Sequence, residues 1–110
     1  MNVLHVISGL NRGGAELALL NYLRASCRDK LVTHKVICLS SPSSISLQIK
    51  ELGIDIFHYD LKQNLFSISK LFRKFKSVNP DLVHTWMYHA DLIGGFIAKV
   101  IGVKNIIWSI

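Results

Sequence analysis

The chain of 110 residues is half hydrophobic and 18% charged, with only two prolines and two cysteines. That length and composition fit one globular domain with a modest core, and exclude a repeat array, a low-complexity chain and a disulfide scaffold. A formal charge of +6 and an isoelectric point near 9.6 point to anionic partners, phosphate-bearing or membrane surface, without choosing between them.

In chain order, "NVLHVI" (2–7) reads as a first strand, too short and too broken by His5 to be a signal peptide. After a glycine-studded break, residues 14–27 place apolar side chains at helical spacing. "HKVICL" (34–39) is the second strand, and Cys38 within it is expected to be a buried free thiol, which suits a reducing compartment. Cys27 and Cys38 stand in no redox or metal-binding spacing. A second helix over 44–52 is capped by Gly53, and "DIFHY" (55–59) follows as the third strand. The third helix, 65–78, stops at Asn79-Pro80, and "DLVHTW" (81–86) is the fourth strand. A fourth helix over 89–101 ends at Gly102 before "KNIIWS" (104–109), the fifth strand. Lys99 interrupts the longest apolar stretch, so no membrane span is expected and the protein reads as cytoplasmic.

Strands alternating with helices, and strands that are nearly continuous apolar runs, predict an α/β fold with a parallel sheet covered on both faces. Right-handed crossovers make it doubly wound and Rossmann-like, with strand order 3-2-1-4-5. Ligands of such sheets sit at the carboxyl ends of the strands where the winding reverses, here between strands one and four. The loops lining that crevice are 8–14 and 85–90. No helix follows the fifth strand to cover its part of the sheet, so the chain is expected to belong to a longer protein.

Gly9, Gly13 and Gly14 surround "LNR" between the first strand and the first helix. Glycines there let a ligand approach a helix N-terminus, whose free N–H groups and dipole favour an anion; Arg12 adds charge. The spacing is neither GxGxxG nor a Walker A loop, which disfavours a dinucleotide and a P-loop triphosphatase. The same glycines equally suit a plain strand-to-helix turn. Glu16, in the first helical turn, either complements the helix dipole or accepts bonds from sugar hydroxyls.

In the third helix Leu65, Phe66, Ile68, Leu71, Phe72, Phe75 and Val78 share a broad face, while Lys70, Arg73, Lys74 and Lys76 lie mostly elsewhere. A solvated basic face accounts for this; so does contact of residues 65–78 with anionic lipid headgroups. No recognition-helix or basic aromatic pattern accompanies the charge, so nucleic acid is not expected. "HTWMYHADL" gathers His84, Trp86, Tyr88 and His89 within six residues beside the crevice. Imidazoles exchange hydrogen bonds with sugar hydroxyls or phosphates near neutral pH, and aromatic rings stack on pyranose faces. Core or interdomain packing is the competing account. The His84–His89 spacing is not that of a zinc pair, and no third ligand is near.

"LHVISGLNRGGAELALLNYL" (4–23) resembles the opening of the family 4 glycosyltransferases, and "PDLVHTWMYHADLIGGFIAKVIGV" (80–103) resembles the fourth strand, loop and helix of the same family. The resemblance implies that residues 1–110 are the N-terminal, acceptor-side half of a two-domain GT-B enzyme whose donor-binding domain is absent. It implies retaining transfer of a hexosyl unit from a nucleotide-sugar to a glycan or lipid-linked acceptor, with no metal and no cofactor beyond the donor. The backbone of Gly13 and Gly14 would meet the donor diphosphate. Asn11, Arg12, Glu16, Trp86 and Tyr88 would bind acceptor, and His84 and His89 would be catalytic. Many members of the family carry a second histidine two residues after the strand-end one; here that position is Trp86. The domain alone is expected to be inactive, at most peripheral on the inner face of the membrane. Two alternatives are a non-catalytic interaction module and a half-enzyme dependent on a partner. A response-regulator reading lacks its acidic cluster, since only Asp60 follows the third strand.

Overall fold

In the computed structural model, residues 1–7, 14–26, 28–29, 31–39, 44–59, 67–86, 96–103 and 105–109 are described. The strands are β1 (Asn2–Ile7), β2 (Thr33–Cys38), β3 (Asp55–His58), β4 (Leu82–Trp86) and β5 (Asn105–Ser109). The helices are α1 (Gly14–Ser26), α2 (Ser44–Glu51) and α3 (Ser67–Val78), and residues 96–100 are also helical. The sheet order is β3-β2-β1-β4-β5, as expected from the sequence. Every neighbouring pair is parallel.

Alternation of side chains along the strands divides the core in two. Leu4 and Val6 of β1 share one face with Ile37 and Val83, covered by Leu71, Phe75 and Val78 of α3 and by Ile97 and Ala98. On the other face Ile7, Val36 and Cys38 meet Leu19, Leu20 and Leu23 of α1 and Ile49 of α2. Burying each of these large aliphatic or aromatic side chains contributes about 1.5–3 kcal/mol. Cys38 is buried, as expected; Cys27 lies outside the described residues. Ile107 of β5, on the α1 face but beyond α1, stays 46% exposed.

The helix ends follow their punctuation. Gly53 and Gly102 take φ of 82° and 86°, and Asn79, before Pro80, takes 50°, all in the left-handed region that closes a helix. Beyond residue 100 the Val103 N–H donates to the Ala98 carbonyl at 2.9 Å and the Gly102 N–H to that of Lys99 at 3.2 Å, the paired bonds of a Schellman motif.

Bounds shift by a residue or so from the sequence reading. β2 gains Thr33, whose N–H donates to the Met1 carbonyl at 2.8 Å. β4 loses Asp81, whose carboxylate accepts the Asn2 N–H at 2.7 Å and anchors the start of β1 instead. Positions 65, 66 and 89–95 of the expected helices lie outside the described residues.

Candidate functional site

The winding reverses between β1 and β4, which pair from Val3–Leu82 to Ile7–Trp86. Trp86 therefore ends β4 at the carboxyl side of the sheet, level with the end of β1. Period-2 alternation puts His5 and Ile7 of β1, His34 of β2 and His84 and Trp86 of β4 on the face that α1 covers. The β2–β3 register adds His58 to the same face. Four of the five histidines thus share one side of the sheet, although they come from four different strands.

Their rings touch. His84 stacks on Trp86 with centroids 4.3 Å apart and 25° between planes. His5 lies 5.6 Å from His84, 5.3 Å from His34 and 6.3 Å from Trp86. Tyr22 of α1 closes the group from above, edge-on to His5 at 5.5 Å, and keeps 41% of its surface exposed. His5 is fully buried at 0% exposure, and both its ring nitrogens are used. The Trp86 Nε1–H donates to His5 Nδ1 at 3.2 Å, and His5 Nε2 lies 3.1 Å from His34 Nδ1.

An indole N–H only donates, so His5 Nδ1 presents a lone pair and the proton of neutral His5 sits on Nε2. That proton points at His34 Nδ1, which accepts, so neutral His34 carries its proton on Nε2. Burial, reinforced by the neighbouring His34 and His84, pushes the His5 imidazole down to about 3. His34 is also lowered, chiefly by burial, against the opposing pull of the Asp29 carboxylate. His5 and His34 are therefore neutral at physiological pH. Its imidazoles bond and stack with one another, and among the described residues no three His, Cys, Asp or Glu side chains gather as metal ligands do.

Of the residues singled out in the sequence, His84 and Trp86 are brought together here, half-buried at the crevice. Gly14 opens α1 and Glu16 lies in its first turn. Asn11, Arg12, Gly13, Tyr88 and His89 lie outside the described residues. Sequence reasoning missed His5, His34 and Tyr22. The signal available was a histidine inside the apolar run of β1 and another near the start of β2, since a buried imidazole requires partners.

On the opposite face, the outer side of α3 forms a second polar region. Tyr59, Lys70, Arg73, Lys74 and Ser77 line a shallow cavity of about 320 Å³. The Lys74 ammonium sits 3.5 Å above the Phe57 ring, a cation–π contact that ties α3 to β3. Burial raises the Tyr59 phenol above its ordinary value.

No protein-family model matches the chain. Over 85 residues it is 28% identical to the Staphylococcus aureus capsular polysaccharide biosynthesis glycosyltransferase CapH, covering 77% of this chain and 23% of that protein. The structure of Anabaena HepE in complex with UDP superposes with a TM-score of 0.73 at 18% identity, over 98% of this chain and 29% of that one. Acinetobacter baumannii MurG gives 0.71 at 16% identity, over 97% and 34%. The fold is that of the N-terminal half of a GT-B glycosyltransferase. A Symbiobacterium toebii glycinamide ribonucleotide transformylase also matches, at 0.56 over 79% of the chain, so the doubly wound sheet alone is shared more widely than the GT-B half. The chain spans about a quarter to a third of the length of the glycosyltransferases it matches.

Proposed function

We propose that the chain is the acceptor-side domain of a retaining glycosyltransferase that moves a hexosyl unit from a nucleotide-sugar to a glycan or lipid-linked acceptor. The observation that carries the reading is the place of Trp86 and His84. An aromatic ring and an imidazole stand together at the one strand end where this fold reverses its winding and receives ligands.

In this reading the donor occupies a second domain and faces the turn at Gly13 and Gly14, whose backbone N–H groups meet its diphosphate. Trp86 offers a flat apolar surface to an acceptor sugar, aided by Tyr88. His84 and His89 orient acceptor hydroxyls, and Asn11, Arg12 and Glu16 complete the acceptor side. The leaving diphosphate takes the acceptor's proton, so the protein's work is positioning and charge stabilisation. Neither a metal nor a further cofactor is required by this scheme. The protein acts in the cytoplasm, with α3 resting on the anionic inner face of the membrane.

Calorimetric titration with UDP and UDP-hexoses tests the division of labour. The 110-residue chain is expected to show no saturable binding in the micromolar range, whereas a polypeptide joining it to a donor-binding domain binds. Micromolar binding by the short chain would overturn the acceptor-side assignment.

A further inference from the structure

We propose that His5 is a positioning residue: it holds the Trp86 indole in one orientation at the carboxyl end of β4, and it does so only while His34, at the amino end of β2, is neutral. The value of Trp86 to an acceptor rests on the function proposed above, but the device itself is read from geometry alone.

Three groups form a hydrogen-bond chain that crosses the sheet diagonally beneath α1. Trp86 Nε1–H donates to His5 Nδ1 at 3.2 Å, and His5 Nε2–H donates to His34 Nδ1, 3.1 Å away. Each link has one permitted direction, because the indole has no lone pair to offer. The chain is thus satisfied by a single pair of tautomers. Its far end is the reachable one. His34 is 7% exposed where His5 is 0%, and it lines a groove of about 180 Å³ with Asp29, Thr33 and Gly53.

A proton from water added to His34 leaves N–H groups on both its ring nitrogens. The His34 Nδ1–H then faces the His5 Nε2–H, two donors with no acceptor between them. His5 restores that contact by moving its one proton from Nε2 to Nδ1 through exchange with solvent, without gaining charge. Its Nδ1–H now confronts the Trp86 N–H, and the indole loses its acceptor. One proton at the amino edge of the sheet therefore frees an aromatic ring at the carboxyl edge.

The groups around the chain set the direction of this response. The Asp29 carboxylate favours the charged His34, while burial opposes it more strongly. His84 of β4 adds a further imidazole beside His5, and Tyr22 of α1 contacts His5 and His34 with its ring. The release of Trp86 consequently falls on the acid side of the ordinary histidine range, and the indole is held at neutral pH.

Nitrogen-15 NMR on the 110-residue chain tests this without sugar or nucleotide, so its failure and a failure of the glycosyltransferase reading are separate results. At pH 7.5 the His5 proton is expected on Nε2 and the Trp86 indole proton in slow exchange. Acidification should move the indole resonance with the midpoint of His34 and speed its exchange roughly tenfold, the upper range of one hydrogen bond. His34→Gln keeps an acceptor for the His5 proton but does not titrate; it should hold the indole signal constant across the same range. In His5→Phe the indole should exchange fast at every pH. A His5 proton on Nδ1 at pH 7.5, or an indole resonance indifferent to His34, would overturn the proposal. So would an acid response that survives in His34→Gln, a variant that leaves the His5 ring in place should His5→Phe fail to fold.

Discussion

His5 shows how much one residue depends on its neighbours. An imidazole at the centre of a buried parallel strand is costly without partners, and here the partners come from β2 and β4, far along the chain. Because burial lowers the folded pKa of His5 to about 3 from an unfolded value near 6.5, the unfolded chain binds the extra proton first. Its stabilisation is therefore complete above pH 6.5 and is lost as pH falls from there towards 3, with His34 acting in the same direction. Thermal melts should show the melting temperature dropping through that window as stability on the order of a few kcal/mol is lost. In His5→Leu the drop should be visibly smaller, and an equal drop would assign the acid sensitivity elsewhere. His84 and Trp86 were legible from the sequence because they crowd one short segment. His5 and His34 were not, since a lone histidine in a strand carries no mark of what lies across the sheet. Only the register that pairs Val3 with His34 and His5 with His84 brings them together.

At the scale of elements, caps were the most readable feature. Gly53, Asn79 and Gly102 each stand where helical periodicity stops, and each adopts the left-handed backbone that the stop requires. A Cβ built on Gly102 meets nothing within 4 Å, so substitution there is resisted by the backbone alone. Gly102→Ala is expected to cost about 1 kcal/mol, measured as a shift of the urea midpoint at unchanged slope. A cost above about 3 kcal/mol would mean that the turn is packed after all. Strand ends were less readable, for a physical reason. Asp81 looks like the first residue of a strand, yet its carboxylate is spent on the Asn2 N–H. Such a bond depends on which strand lies alongside, and sequence does not display that. The amphipathic pattern of α3 was plain: Leu71, Phe75 and Val78 are buried at helical spacing.

For the whole molecule, handedness and the alternation of elements restricted the sheet to a few doubly wound orders, and 3-2-1-4-5, the one chosen from the sequence, is the one found. Charge placement is more particular. Lys70, Arg73 and Lys76 are exposed on α3, and the helix holds no acidic residue to offset them. None of the described helices is long and apolar enough to cross a bilayer. At roughly 1 kcal/mol per basic residue near an anionic surface, three would favour acidic over neutral vesicles by about a hundredfold at low salt. Sedimentation with phosphatidylserine vesicles should show that preference, and molar salt should remove it. Attachment that persists in salt, or in Lys70→Gln/Arg73→Gln/Lys76→Gln, would rule out electrostatic contact through α3.

The central place of β1 has a consequence during synthesis. β1 leaves the ribosome before the other four strands of this sheet, yet one of its edges stays open until β4 arrives to fill it. Until then the nascent chain holds a half-sheet of β1, β2 and β3 with an unpaired inner edge, the kind of surface that invites wrong pairing. In that half-sheet His5 has His34 beside it but no indole to satisfy Nδ1. Docking of β4 therefore fills the open inner edge of β1 and supplies the missing hydrogen bond in one step, before β5 is added beyond it.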